Sequence, residues 1–425
     1  MRIWTDRNYP IIISCAKGLT ESTRREVESF GYRVIDETEN TVVIRGAMRE
    51  MLNLNLRLRT AHRILVPLLR ARCTNLRHLY SLVNSIDWEN QFDADGYFSV
   101  SSVAYNRTVR DTRMPSLVTK DAIVDRIRSC VGSRPNSGGE NIGAAVFVYW
   151  ENDQVIIYLD TSGEPLSKRG YRKIPGSAPM QETLAAACIM AMHWSGRTPF
   201  VSPMCGSGTP AIEATLIALN RAPGMFKSHF AFMSLKGYTQ IIEGETAPRT
   251  APRSRFGVSP EQIWKEMKII AREEEVDAAD LPPIIATDIS PEAVENARTN
   301  AIAAGVSELI RFGACDFAKT EVPPVELPAA VVAEGNNRAI RKYAGAVFFN
   351  PEYGIRLGDP MELAKDYARI GEFFKEKCSG YTCAVLTGSR QLAQCVEVPY
   401  AARIPFFNGP IDCRLLIYPR YGAEN

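Results

Sequence analysis

The chain predicts an α/β protein: a doubly wound parallel sheet in its C-terminal part, preceded by a smaller α+β region with antiparallel pairing. Three observations predict this. From Pro199 onward, apolar β-branched runs alternate with helical runs, as βαβ units require. Ahead of Ser162 the elements are shorter, and Ala144 to Trp150 with Gln154 to Asp160 brackets Glu151-Asn-Asp153 as a hairpin. Between the two, Ser162 to Gln181 shifts to Gly, Pro, Ser and basic residues, and the domain boundary belongs there.

Pro10-Ile-Ile-Ile-Ser-Cys15 is apolar and β-branched, a strand. Gly18-Leu-Thr20 then opens a helix from Glu21 to Phe30, with Thr20-x-x-Thr23 and an acidic first turn as its start signal. Thr41 to Arg45 reads as a strand, Ala47 to Asn55 as helix, Ile64 to Arg70 as extended, and Leu76 to Ser85 as helix ending before Asp87-Trp88. Phe98 to Ala104 shows the period of two of a half-buried strand, and Val118 to Cys130 is an amphipathic helix. Past the boundary come an Ala-rich helix (Glu182 to Trp194), a strand (Pro199 to Val201), a helix (Thr209 to Asn220), a strand (Ile284 to Asp288), a helix (Pro291 to Ala304) and a strand (Leu309 to Phe312). A last strand, Gly345 to Phe349, runs into Asn350. Lys236 to Pro260 lacks periodicity and holds Pro248, Pro252, Arg249, Arg253 and Arg255, so it predicts a long loop whose basic residues could touch RNA.

Composition bounds the function. A chain of 425 residues, 45% hydrophobic and 23% charged, is ordinary for a globular protein of two or three domains. It has no run of about 18 apolar residues and no signal-peptide pattern at Met1-Arg-Ile-Trp-Thr-Asp6, so the expectation is a cytoplasmic protein without a membrane role. Ten scattered Cys without a C-x-x-C pair and four dispersed His argue for reduced thiols and against a metal. Net charge is +2, but residues 1–176 carry 25 Lys and Arg against 20 Asp and Glu, leaving −3 for the rest. The basic excess is N-terminal, where it can supply phosphate contacts.

Four strand ends carry the candidate chemistry. Val201-Ser-Pro-Met-Cys-Gly-Ser-Gly-Thr209 joins a strand to a helix, where glycines let the backbone turn sharply beside a ligand and the helix N-terminus offers free N–H groups. Asp288 ends the second strand in a residue type that accepts from ribose hydroxyls, or alternatively caps the following helix. The third strand ends in Gly313-Ala-Cys-Asp316, and the fourth in Asn350-Pro-Glu-Tyr353. Gly, Asp, Asp and Asn along one carboxyl edge place polar groups where open α/β sheets bind ligands.

Asn350-Pro-Glu-Tyr353 is similar to the Asn-Pro-Pro-Tyr motif of amino-group methyltransferases. More broadly, residues 164–418 resemble the methyltransferase domain of the bacterial 23S rRNA guanine-N2 methyltransferase family, which joins a THUMP RNA-binding domain to a Rossmann-like fold. The segments that carry the resemblance are Leu166-Ser-Lys-Arg-Gly-Tyr-Arg172, Ala178-Pro-Met-Gln-Glu-Thr-Leu-Ala-Ala186, Pro203-Met-Cys-Gly-Ser-Gly-Thr209, Leu386-Thr-Gly388 to Arg390 and Asn408-Gly-Pro-Ile-Asp-Cys-Arg-Leu-Leu416. Thr112 to Arg126 is similar to a THUMP strand-to-helix segment, preceded by a small ferredoxin-like subdomain. The implied division is a ferredoxin-like subdomain over residues 1–60, THUMP over 61–165, a linker over 166–180 and the methyltransferase domain over 181–425.

The resemblance implies S-adenosylmethionine on the turn formed by Pro203, Cys205, Gly206, Ser207, Gly208 and Thr209. Its ribose would lie on Asp288 and its adenine amine near Asp316, with Glu182 closing the pocket. Asn350, which also faces the cofactor, and the Pro351 carbonyl would accept the hydrogens of a guanine N2, and Tyr353 would stack on the flipped base. Arg107, Arg110, Arg113 and Lys120, then Lys168, Arg169 and Arg172, are the candidate RNA contacts. Two residues depart from the family pattern: Ser202 stands where an Asp is usual, and Glu352 replaces the second Pro. The alternatives are a tRNA guanine-N2 methyltransferase, a weak or inactive RNA-binding paralogue, and an N6-adenine enzyme. Oligomeric state and target nucleotide are not legible.

Overall fold

A computed structural model of the chain describes residues 3–4, 8–106, 109, 111–140, 142–175, 180–240, 258–325, 343–352 and 360–418. It divides into two compact units. One comprises Met1–Cys15, Arg24–Leu166 and Lys227–Ala271; the other comprises Ala16–Thr23, Ser167–Phe226 and Arg272–Asn425.

The first elements are β1 (Tyr9–Cys15), α1 (Thr20–Ser29), β2 (Val34–Glu37), β3 (Thr41–Gly46), α2 (Met48–Arg57), β4 (Ala61–Arg72), α3 (Leu76–Asn84), β5 (Tyr97–Tyr105), α4 (Met114–Val131), β6 (Asn136–Ser137), β7 (Ala144–Glu151) and β8 (Gln154–Asp160). Their strands form one eight-stranded sheet in the order β2-β3-β1-β4-β8-β7-β5-β6. β1 alternates buried and half-buried residues, the period-two signature of a strand with one face on the core. β4 makes the sheet continuous, because its first half pairs with β1 and its second half with β8. The β4–β8 register shifts between Pro67 and Leu69, next to a residue with no N–H to give the ladder. The expected hairpin is β7–β8, turning at Asn152 with φ 50. α4 begins at Met114, four residues ahead of expectation, because Pro115 is tolerated in a first turn whose N–H groups have no helical partner.

The second group is α5 (Glu182–Ala191), β9 (Phe200–Pro203), α6 (Thr209–Ala218), α7 (Pro260–Glu273), β10 (Ile284–Asp288), α8 (Pro291–Ala303), β11 (Ile310–Ala314), β12 (Gly345–Phe349), α9 (Pro360–Lys377), β13 (Tyr381–Thr387), α10 (Arg390–Cys395), β14 (Ala402–Asn408) and β15 (Ile411–Tyr418). The sheet runs β11-β10-β9-β12-β13-β15-β14. β9 to β13 are parallel, and the β14–β15 hairpin closes one edge antiparallel. The chain winds outward from β9 through β10 to β11, then returns to the other side of β9 with β12, so the topological switch lies between β9 and β12. Phe349 meets Phe317, Phe373 and Phe374 at 5.6, 5.7 and 5.7 Å between ring centroids, which fixes the end of β12.

Residues 227–271 depart from a division in simple sequence order, since they cluster with the N-terminal unit. Aromatic packing holds them: Phe230, Phe232 and Trp264 lie within 5.0–5.3 Å of one another, and the Phe232 N–H donates to the Thr161 carbonyl at 3.0 Å. The expected loop Lys236 to Pro260 lies outside the described residues over 241–257, including its five Pro and Arg positions. α7, which follows it, was not foreseen. None of the ten Cys is in a disulfide, and among the described residues no helix is long and apolar enough to cross a membrane.

Candidate functional site at the sheet's carboxyl edge

The β9–α6 turn is built from backbone that few residue types adopt. Met204, Gly206 and Gly208 have φ of 57, 52 and 84, and α6 starts directly after Gly208. A non-glycine residue at positive φ, as Met204 is, stores strain that the surroundings must hold. Three sets of hydrogen bonds hold it. The Cys205 N–H donates to the Thr287 carbonyl at 2.8 Å, and the Gly208 N–H to the Cys205 carbonyl at 2.9 Å. The Gly206 N–H donates to Asp288 Oδ2 at 2.9 Å. From below, Asn300 Nδ2 donates to the Ser207 carbonyl at 3.0 Å, while its Oδ1 accepts from the Lys173 and Ile174 N–H groups. A Cβ added at Gly206 would meet nothing within 4 Å, whereas one at Gly208 would strike Ala297. The turn is therefore packed below and open above Gly206.

Asp288 is not the cap of α8. Ser290 caps it, accepting from the Ala293 N–H, and Asp288 Oδ1 accepts from the Ser290 N–H. The carboxylate thus buttresses the glycine turn at the end of its strand. Asp316 accepts from the Ala318 N–H and from both contacts of Arg369 Nη2, at 2.6 and 2.7 Å. That guanidinium holds its carboxyl below the usual range and lies 4.7 Å from the Phe317 ring centroid. Of about four acceptor positions on a carboxylate, three are taken, so an adenine amine near Asp316 would share it with Arg369.

Glu182 is buried at the first residue of α5, and its partner is Arg172 at 3.2 Å. Burial raises its pKa, and the Arg172 charge opposes the rise. Arg172 Nη2 also donates to the Met180 carbonyl and, at 3.3 Å, to Thr209 Oγ1, tying α5 to the start of α6. Cys205 stands in the turn with a thiol pushed up by burial first and by Asp288 second, so it stays protonated and is no nucleophile.

Asn350 follows β12. The pairing Val347 with Val201 and Phe349 with Val385 puts it level with Met204 on one side and Leu386 on the other. Its side-chain Oδ1 is buried and has no hydrogen-bond partner. An orphaned acceptor of this kind costs about 1–3 kcal/mol unless a ligand fills it. Pro351 is buried and Glu352 exposed; Tyr353 lies outside the described residues. Ser202 is buried within β9, and the Gly206 N–H of the turn donates to Asp288.

Two candidate RNA contacts are corrected by the structure. Arg169 is 1% exposed and pairs with Glu213, itself fully buried, at 3.5 Å, with the Tyr171 hydroxyl donating to the same oxygen at 2.9 Å. A guanidinium so enclosed cannot reach a phosphate. Arg172 is likewise turned inward. The physical reason is a lone carboxylate, Glu213, in the otherwise uncharged and mostly buried α6, which requires a buried cation. Lys168 is exposed; Arg113 is exposed and bonded to Asp111, and Lys120 lies 3.9 Å from Asp121. Arg107 and Arg110 lie outside the described residues. Asn300 and Arg369 were missed, although a polar residue facing the Ala-rich side of α8 was a usable signal for the first.

Among the described residues no group of three or more His, Cys, Asp or Glu could hold a metal. Comparison with known proteins then adds lineage. The RMKL-like methyltransferase domain profile matches residues 169–417, the RlmL ferredoxin-like domain residues 10–65, and the THUMP domain residues 73–160. Ribosomal RNA large subunit methyltransferase K/L of Psychromonas ingrahamii is 32% identical over 409 residues, 96% of this chain and 49% of the relative. The chain therefore spans about half the length of that curated relative. Two solved structures are similar over nearly the whole chain. The SAH complex of SMU.472 has a TM-score of 0.79 at 23% identity, covering 99% and 100% of the two chains. A predicted N6-adenine-specific DNA methylase from Listeria monocytogenes has a TM-score of 0.76 at 25% identity, covering 97% of each.

Proposed function

The chain belongs to the RMKL-like methyltransferase family, and on that premise we propose that it transfers a methyl group from S-adenosylmethionine to the exocyclic N2 of a guanine in RNA, with 23S rRNA as substrate. The name of the Psychromonas ingrahamii relative and the THUMP match support the substrate class. The observation that carries the reading is the orphaned Asn350 Oδ1 beside the β9–β12 switch.

The residues present fit the donor. The glycine turn leaves room above Gly206, Asp288 offers a carboxylate at the next strand end, and α6 points its N-terminus at the crevice. Bound there, S-adenosylmethionine supplies an electrophilic methyl on a cationic sulfur. Pro203, Cys205, Gly206, Ser207, Gly208 and Thr209 shape the seat, and Glu182, held by Arg172, walls it. Asp316 lies farther along the edge, shared with Arg369.

A guanine amine is a weak nucleophile because its lone pair is delocalised into the ring. Asn350 Oδ1 and the Pro351 carbonyl accept its two hydrogens and favour a pyramidal nitrogen facing the methyl; orientation and preorganised dipoles supply the rate. Tyr353 stacks on the base, which has left its helix. No covalent nucleophile takes part. Glu352 is exposed and keeps its carboxylate in water, so it spares both acceptors. Lys168, Arg113 and Lys120, with Arg107 and Arg110, contribute phosphate contacts.

Asn350→Ala tests the reading. Donor binding by calorimetry should match wild type while methyl transfer to rRNA falls by about 10²–10³, the usual loss for one transition-state hydrogen bond. Transfer at the wild-type rate would remove Asn350 from the chemistry.

A further inference from the structure

On the far side of β12 from the glycine turn, a cavity of about 540 Å³ opens between α10 and the β14–β15 hairpin. It begins at Thr387 and Gly388, the end of β13, so its wall stands one strand from Asn350, about 4.8 Å in sheet spacing. Its volume falls in the range of about 300–1,000 Å³ typical of small-ligand sites.

The lining is amphipathic. Val398 and Leu416 are buried, and Tyr400 is 48% exposed with its ring edge-on to Tyr418 at 6.5 Å and 88°. Three arginines line the wall. Arg414 is matched by Asp412, while Arg390 and Arg403 are exposed with no carboxylate within salt-bridge distance among the described residues. Asp412 is held below the ordinary carboxylate range by Arg414 first, then by Lys17 and Arg403, and Glu397 is the other carboxylate of the lining, so the wall carries three guanidiniums against two carboxylates. Two exposed guanidiniums outside any direct ion pair, beside an exposed ring, suit a ligand that is anionic at its ends and planar between them.

We propose that this cavity seats one nucleotide of the RNA strand next to the target guanine, with its phosphates on Arg390 and Arg403 and its base against Tyr400. The inference rests on the reading of the chain as an RNA methyltransferase. A flipped guanine has lost its stacking partners, and holding its neighbour one strand away fixes where the amine arrives. The order along the sheet edge is then donor on β9 and β10, target base on β12, and flanking nucleotide on β13 to β15.

The test is binding of a single-stranded 23S rRNA fragment to the full chain across about 50–200 mM salt. In the double variant Arg390→Ala, Arg403→Ala, RNA affinity should fall about tenfold, and the salt slope should shrink by about 1.4, for two single-strand phosphates. Tyr400→Ala should lose about tenfold with the slope kept. Arg390→Lys with Arg403→Lys should keep the slope, and S-adenosylmethionine affinity should hold in every variant, reporting an intact fold. Unchanged RNA affinity and slope in the double variant overturn the proposal. Wild type that binds RNA through these residues but transfers no methyl leaves the subsite standing and sinks the enzymatic reading. Methyl transfer by wild type with indifferent pocket variants does the reverse.

Discussion

Gly206 and Gly208 sit two residues apart in one turn, yet alanine should fail at them for different reasons. Both have positive φ, where a Cβ costs about 1–2 kcal/mol. At Gly206 that is the whole penalty, since no heavy atom lies within 4 Å of the added carbon. At Gly208 the new Cβ would stand 2.8 Å from Ala297 Cβ and 3.1 Å from its Cα, an overlap with helical backbone that adds about 1–3 kcal/mol. Gly208→Ala should therefore cost about 2–5 kcal/mol, and Gly206→Ala about 1–2. For the donor the order reverses. If the space above Gly206 belongs to S-adenosylmethionine, Gly206→Ala should weaken its binding on the order of tenfold, about 1.4 kcal/mol. Thermal unfolding and calorimetric titration of both variants read the two quantities separately. Wild-type donor affinity in Gly206→Ala would refute the placement of the donor on this turn, and equal destabilisation of the two would refute the steric role given to Ala297.

Two further outcomes follow from buried charge. Arg169→Met strands the Glu213 carboxylate in the core and should cost about 3–5 kcal/mol by urea unfolding, with no change in the salt slope of RNA binding; a slope lower by about 0.7 would restore the phosphate role that the structure removes. His62 has its pKa lowered from 6.5 to about 4, by burial first and by Arg63 and Lys227 after. A neutral native imidazole and a protonating unfolded one mean that stability is full above pH 6.5, falls as pH drops, and levels off below about 4. The total is about 3 kcal/mol, and His62→Gln should flatten that part of the stability profile; an unaltered slope there would count against it.

Much of the site was legible because strand ends announce themselves. The glycine turn, Asp288 and Asn350 each follow a short apolar run, and parallel pairing puts such ends on one edge whatever the loops do. The hairpin at Glu151-Asn-Asp153 was legible for the same local reason. Charge was not. Arg169 and Arg172 were read as exposed, the default for arginine, and only the fold reveals Glu213 and Glu182 behind them. The placement of residues 227–271 with the N-terminal unit depends on Phe230, Phe232 and Trp264 finding one another, which spacing along the chain does not encode. β4 was seen only as Ile64 to Arg70 because its ends alternate weakly, yet its full length of 12 residues makes the eight-stranded sheet continuous.

If this sheet edge methylates a guanine amine in ribosomal RNA, one labelling experiment reads it directly. Deproteinised 23S rRNA and, separately, a tRNA pool should be incubated with the full chain and labelled S-adenosylmethionine, digested to nucleosides and resolved by mass. Label is expected in N2-methylguanosine from 23S rRNA. Label in N6-methyladenosine, label confined to tRNA, or none in either would overturn the proposed reaction.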